Sequence, residues 1–160
     1  MNDVLNLVQG LRDLPALTAE DVGPVLERQG WEPMRRVPPP PVPRAWSRGG
    51  LRLGIQDRLP QPRVEITLWL RDYDEEAAAD AEDFDYVEGL WAEAETAGRA
   101  LAEQMAASGH ATSLTGAELD EKEAEEFFWH TAWTSAPRRL VLGAKQDDTD
   151  LPVRVVAIIS

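Results

Sequence analysis

The sequence predicts an α+β class: two helix-plus-strands units forming one antiparallel sheet, with helices packed on one face. Three observations carry this expectation. Residues 85–108 set Val87, Leu90, Trp91, Ala94, Ala97, Leu101 and Met105 three or four apart, the spacing of one buried helical face. Residues 64–71 alternate, with Val64, Ile66, Leu68 and Leu70 pointing one way and Glu65, Thr67, Trp69 and Arg71 the other. Finally, Trp46 followed by Leu51-Arg52-Leu53-Gly54-Ile55-Gln56-Asp57 is echoed by Trp133 followed by Leu140-Val141-Leu142-Gly143-Ala144-Lys145-Gln146-Asp147. The echo sets residues 18–71 against 85–159 as a pseudo-repeat, with 72–84 as an acidic linker, inside a single α+β domain over residues 1–160.

In chain order, residues 2–12 form a helix with Val4, Leu7, Val8 and Leu11 on one face, ended by Pro15. Thr18 is the N-cap of a second helix over 18–29, with Glu20 and Asp21 in its positive first turn and Gly30 after its end. Val22, Val25 and Leu26 carry its buried face. Residues 31–37 read as a poor edge strand, because Pro33 cannot donate to a ladder. The prolines at 38–41 and 43 read as an extended, stiff connection. A strand over 44–48, a Gly49-Gly50 turn and a strand over 51–57 lead to the strand at 64–71.

Trp69 stands on the nominally wet face of that strand, which marks it as covered by another segment or as a partner contact. Asp85 with Glu88 imitates a capping box for the long helix, and Gly109 supplies its C-terminal stop. Residues 110–114 suit a short strand, and 115–126 a second acidic connection with room for one helical turn. Aromatics and threonine favour a strand over 127–134, with Phe127, Trp129 and Trp133 on one face. Strands over 139–145 and 152–159 pair across an Asp-rich turn.

Composition narrows the class of activity. Hydrophobic content of 43% with six Trp argues for a packed core and against global disorder. No apolar run approaches the ~20 residues of a membrane span. Residues 1–13 lack the basic start of a secretory signal, so the cytoplasm is the expected compartment. Without Cys there is neither a disulfide framework nor a thiolate site. A net charge of −13 disfavours direct binding to nucleic acid or an anionic membrane. The acidic residues cluster at 72–88 and 118–126, whereas arginines outnumber carboxylates over 31–63.

The order helix, strands, helix, strands over residues 18–159, together with this acidity, resembles the type III secretion chaperones. It is similar in the same way to the small acidic immunity proteins of polymorphic toxins. The resemblance implies a protein that binds another protein and is not an enzyme; no functional residue transfers through it.

Motifs for chemistry are missing: there is no G-x-S-x-G, no Walker loop and no G-x-G-x-x-G. Asp80, Glu82, Asp83 and Asp85 lack the glycine and ligand spacing of an EF-hand and read as a solvated charge run. His110 and His130 have no H-E-x-x-H spacing, and Glu126 would share a face with His130 only on a helix. No cofactor, metal or catalytic residue is expected. The expected function is non-enzymatic: an adaptor, chaperone or immunity-type protein binding a partner protein through an acidic and aromatic surface. That surface is assigned to Trp69, Asp74, Glu75, Glu76, Asp80, Glu82, Trp129 and His130, with a basic partner steered by the carboxylates. A homodimer is a compatible assembly. The alternatives are an acidic nucleic-acid mimic that inhibits a DNA- or RNA-binding protein, and an enzyme with an unrecognised carboxylate/His site.

Overall fold

The computed structural model describes residues 2–35, 42–74, 76, 83–108, 114–148 and 151–160, with 83 and 84 by backbone alone. Its helices are α1 (Asn2–Leu11), α2 (Ala19–Arg28), α3 (Asp83–Ala106) and α4 (Glu121–Ala124). Its strands are β1 (Glu32–Pro33), β2 (Ala45–Arg48), β3 (Leu51–Gln56), β4 (Arg63–Arg71), β5 (Thr115–Ala117), β6 (Trp129–Ser135), β7 (Arg138–Lys145) and β8 (Val153–Ile159). The strands form one eight-stranded sheet in the order β1-β2-β3-β4-β8-β7-β6-β5, antiparallel throughout. The chain is therefore α+β. Two meanders, β1 to β4 and β5 to β8, meet at the β4–β8 pair.

The local chemistry explains the element ends. Thr18 Oγ1 accepts the Asp21 N–H at 3.2 Å and caps α2. At the other end Gly30, at φ +77°, donates to Glu27 O, and Trp31 donates to Leu26 O. Those two bonds are a Schellman motif, which needs a left-handed residue where glycine stands. Gly49 and Gly50, both with positive φ, close the two-residue β2–β3 hairpin.

Strand residues of one parity join the helices in a common core. Val4, Leu7, Leu11, Val22, Leu26, Leu90, Ala94 and Met105 share it with Trp46, Leu53, Ile66, Leu140, Leu142, Val155, Ala157 and Ile159. Residues of the other parity, Ala132, Val141, Val156 and Ile158, form a second cluster with Ala117, Leu119 and Phe127. Every position named in the two clusters is apolar, so burial of hydrocarbon drives both.

Several expectations need correction. Thr67 pairs with Val156 and Trp69 with Val155, so Leu68 is an extra residue, a β-bulge. The bulge reverses the alternation beyond it. Trp69 therefore packs against the main core, and Leu70 is exposed. Phe127 precedes β6 and joins the second cluster, on the face opposite Trp129 and Trp133. Glu65, expected on a wet face, is 7% exposed, because charged partners from β7 and β8 close over it.

The long helix starts at Asp83, so Asp85 lies inside its first turn and is not its cap. Residues 115–117 are a strand where an acidic connection was expected, while α4 is the expected helical turn, closed by an Asp120–Glu123 capping box. The edge strand β1 is confined to two residues. The proline run 38–41, Gly109 and residues 110–113 of the strand expected over 110–114 lie outside the described residues, and Leu114 is not in a strand.

Candidate functional site

The second cluster floors a cleft. Between the β3–β4 turn and the segment carrying α4 lies an opening of about 640 Å³. Its floor is Val141 and Ile158, and its walls include Leu59, Leu119 and Phe127. Asp120, Lys122, Glu123, Glu125, Glu126, Arg63 and Arg139 form the charged rim. This volume is large enough for a peptide side chain or a small ligand, which would meet an apolar floor inside a strongly charged rim.

The α4 segment is held over the sheet at three points. Phe127 lies directly on Gly143: a Cβ added there would come within 2.2 Å of the ring. Glu126 accepts two hydrogen bonds from Arg63 Nη1, each at 3.0 Å. Glu123 takes Arg139. With both arginines engaged, the exposed charges left on this segment are Glu118, Asp120, Glu121 and Glu125 against Lys122. Of these, Asp120 and Glu125 line the cleft against Lys122, so its mouth carries a small negative excess.

Polar side chains continue from the cleft across the sheet. Arg63 Nε donates to Gln56 Oε1 at 2.7 Å, and Gln56 Nε2 donates to Glu65 Oε2 at 3.4 Å. Glu65 also accepts from Arg154 at 2.8 Å and from Lys145 at 3.4 Å. Lys145 and Arg154 both reach Asp147. Burial pushes the Asp147 carboxyl up, but Lys145 and Arg154 outweigh it and hold the group below its ordinary value. Two cations thus balance two carboxylates, with Glu65 and Lys145 buried and Asp147 open to solvent, and loss of either cation would leave the buried Glu65 charge short of a partner.

The expected site residues are divided by the fold. The β4, β7 and β8 registers bring the end of β4, the end of β7 and the starts of β6 and β8 to one end of the sheet. Trp69 and Trp129 stand there, and Asp74 and Glu76 follow β4 as exposed residues. Trp129 is partly buried on α3, where a Cβ on Gly98 would come within 2.4 Å of its ring, and Arg99 lies 5.7 Å over that ring. Neither tryptophan is an open contact surface. His130 is exposed on the opposite face, with its ring 6.1 Å from that of Phe127. Glu75, Asp80 and Glu82 lie outside the described residues.

The cleft does not contain His130, and Glu126 takes Arg63 from a non-helical connection. Among the described residues no group of three or more His, Asp or Glu is placed to hold a metal ion. No described helix is long and apolar enough to cross a membrane. Sequence reasoning missed Leu59, Val141 and Ile158 as site residues. The one available signal was the clustering of Glu118–Glu126 carboxylates next to Phe127-Phe128, which had been read as a connection.

No protein-family model matches this chain, and neither a curated protein nor a solved structure does.

Proposed function

We propose that this chain is a non-catalytic protein-binding module, and that the cleft beside α4 receives an apolar segment of a partner protein flanked by lysine or arginine. The observation that carries this reading is the apolar floor of Val141 and Ile158 opening beneath a mildly acidic mouth. An apolar side chain gains free energy on that floor, and Asp120 and Glu125 attract a neighbouring cation. The resemblance to secretion chaperones and immunity proteins, which bind partner proteins, points the same way.

The test is copurification from the native host, followed by kinetics with the partner recovered. Leu59→Asp and Glu125→Lys change exposed rim positions and leave the core untouched. Together they should weaken the complex about tenfold or more. Glu125→Lys alone should slow association, and raised salt should slow wild type in the same way. Equal affinity for wild type and the double variant would remove the cleft from the interface. A chemical turnover lost in the same variants would replace binding by catalysis.

A further inference from the structure

At the end of the sheet away from the cleft, a second surface combines open rings with carboxylates. Trp91 and Phe128 stack at 5.5 Å with an interplanar angle of 26°. Trp91 Nε1 donates to Gln146 Oε1 at 2.9 Å, and Gln146 Nε2 donates to Leu151 O at 2.9 Å. The β7–β8 turn is thereby tied to the ring pair. Phe128 is 38% exposed and Leu151 44%. Leu70 lies on the opposite face of the sheet, paired with Arg154 in the ladder. Tyr73 and Tyr86 add an edge-to-face pair at 5.6 Å, and the Tyr86 hydroxyl accepts the Asp74 N–H at 3.2 Å.

Carboxylates outnumber cations along the segments that carry these rings. Asp72, Asp74, Asp85, Glu88 and Asp148 are exposed. The nearby arginines are already engaged, Arg71 by Glu93 and Arg154 by Glu65 and Asp147. An exposed ring inside a carboxylate field is matched by a guanidinium, which lies flat on an aromatic face and meets carboxylates at its edge. The chain shows that chemistry internally, where Arg99 lies over Trp129.

We propose that this Trp91–Phe128 surface is a second docking site, and that its occupant is an arginine-bearing segment of a partner protein with an aliphatic residue beside the arginine. The guanidinium covers Phe128 and meets the Glu88 carboxylate on α3; the aliphatic side chain covers Leu151. This surface is separate from the cleft and stands whether or not the cleft binds.

The indole N–H signals of the six tryptophans make the test internal. The labelled full chain is titrated at low salt with a short peptide alternating arginine and leucine, and separately with its glutamate–leucine counterpart. The arginine peptide should shift the Trp91 indole signal saturably and leave those of the buried Trp31 and Trp46 in place. Phe128→Ala combined with Glu88→Gln should weaken that titration about tenfold. Leu59→Asp, in the cleft, should leave it unchanged. No saturable shift at Trp91, equal shifts with both peptides, or an unaltered titration in the double variant would each overturn the assignment. Unmoved Trp31 and Trp46 signals in the variant certify that it is folded.

Discussion

Gly54 and Gly143 occupy the same place in two similar stretches, Leu53-Gly54-Ile55 and Leu142-Gly143-Ala144, yet they meet different surroundings. A Cβ on Gly143 would enter the Phe127 ring, whereas nothing lies within 4 Å of a Cβ on Gly54. Gly143→Ala should therefore destabilise the protein by about 1–3 kcal/mol, because the ring must move off the sheet. Gly54→Ala should stabilise it by about 0.5 kcal/mol, since glycine loses more backbone entropy in a strand. Urea unfolding of the two variants reads both signs. Phe127→Ala should abolish the penalty of Gly143→Ala if the contact is its cause. Glu65 belongs to the same scale. Its partners Lys145 and Arg154 lie far along the chain, so its burial left no trace in the local alternation.

The long helix α3 shows what periodicity resolves and what it does not. All seven positions picked by spacing in residues 85–108 are at least partly buried, but Leu90, Ala94 and Met105 are closed off while Leu101 is only half-buried. Met105→Ala should cost about 2–5 kcal/mol, and Leu101→Ala less, because its cavity opens to water. Thermal or urea unfolding of both variants checks the order; equal losses would place Leu101 deeper than it stands. In β4 the alternation was correct up to Thr67, and the bulge at Leu68 reversed what followed. Nothing in Thr67-Leu68-Trp69 announces the bulge. It follows from fitting β4 to β8, a partner remote in sequence.

Across the whole molecule the two meanders match in register. Leu53, Gly54, Ile55 and Gln56 face Ile66, Glu65, Val64 and Arg63. Leu142, Gly143, Ala144 and Lys145 face Ala157, Val156, Val155 and Arg154 in the same relation. The β4–β8 pairs Glu65–Ile158 and Thr67–Val156 exchange under that correspondence, and Ile66–Ala157 maps onto itself. The halves differ in chemistry. Where the second half sets Val141, Val156 and Ile158, the first sets Arg52, Glu65 and Thr67. The apolar half has Phe127 and the α4 segment packed over it; the polar counterpart positions have no equivalent in the second cluster.

Charge acts at this scale through two carboxyls. Burial pushes Asp57 up, but hydrogen bonds from Arg44 and the Ala19 N–H, with the charge of Arg44, hold it below its ordinary value. Asp147 is held low in the same direction. A carboxyl held low when folded contributes stability that is complete above the unfolded value, about 3.9, and that is lost as pH falls through the folded value. Stability should thus fall on acidification below about pH 4, and less steeply in Asp57→Asn. Chemical denaturation across that range measures the slope; an unchanged slope in the variant would exclude Asp57 as a contributor.

The sequence by itself determined the α+β class, the helices at 2–11, 19–28 and most of α3, and the main strands. Each is set by local rules: apolar spacing, a capping threonine, paired glycines in a hairpin. It also showed where carboxylates and aromatics concentrate. Only the tertiary structure decided which of them meet. Trp69 and Trp129 were drawn into packing against the core, while Phe128, Leu151 and the rim of the cleft were left open. The reason is that a surface is made by strands adjacent in space. The cleft joins the β3–β4 turn to α4, and the ring surface joins α3 to the β7–β8 turn. No periodicity along the chain encodes those juxtapositions, which arise when β4 pairs with β8 and brings the two meanders together.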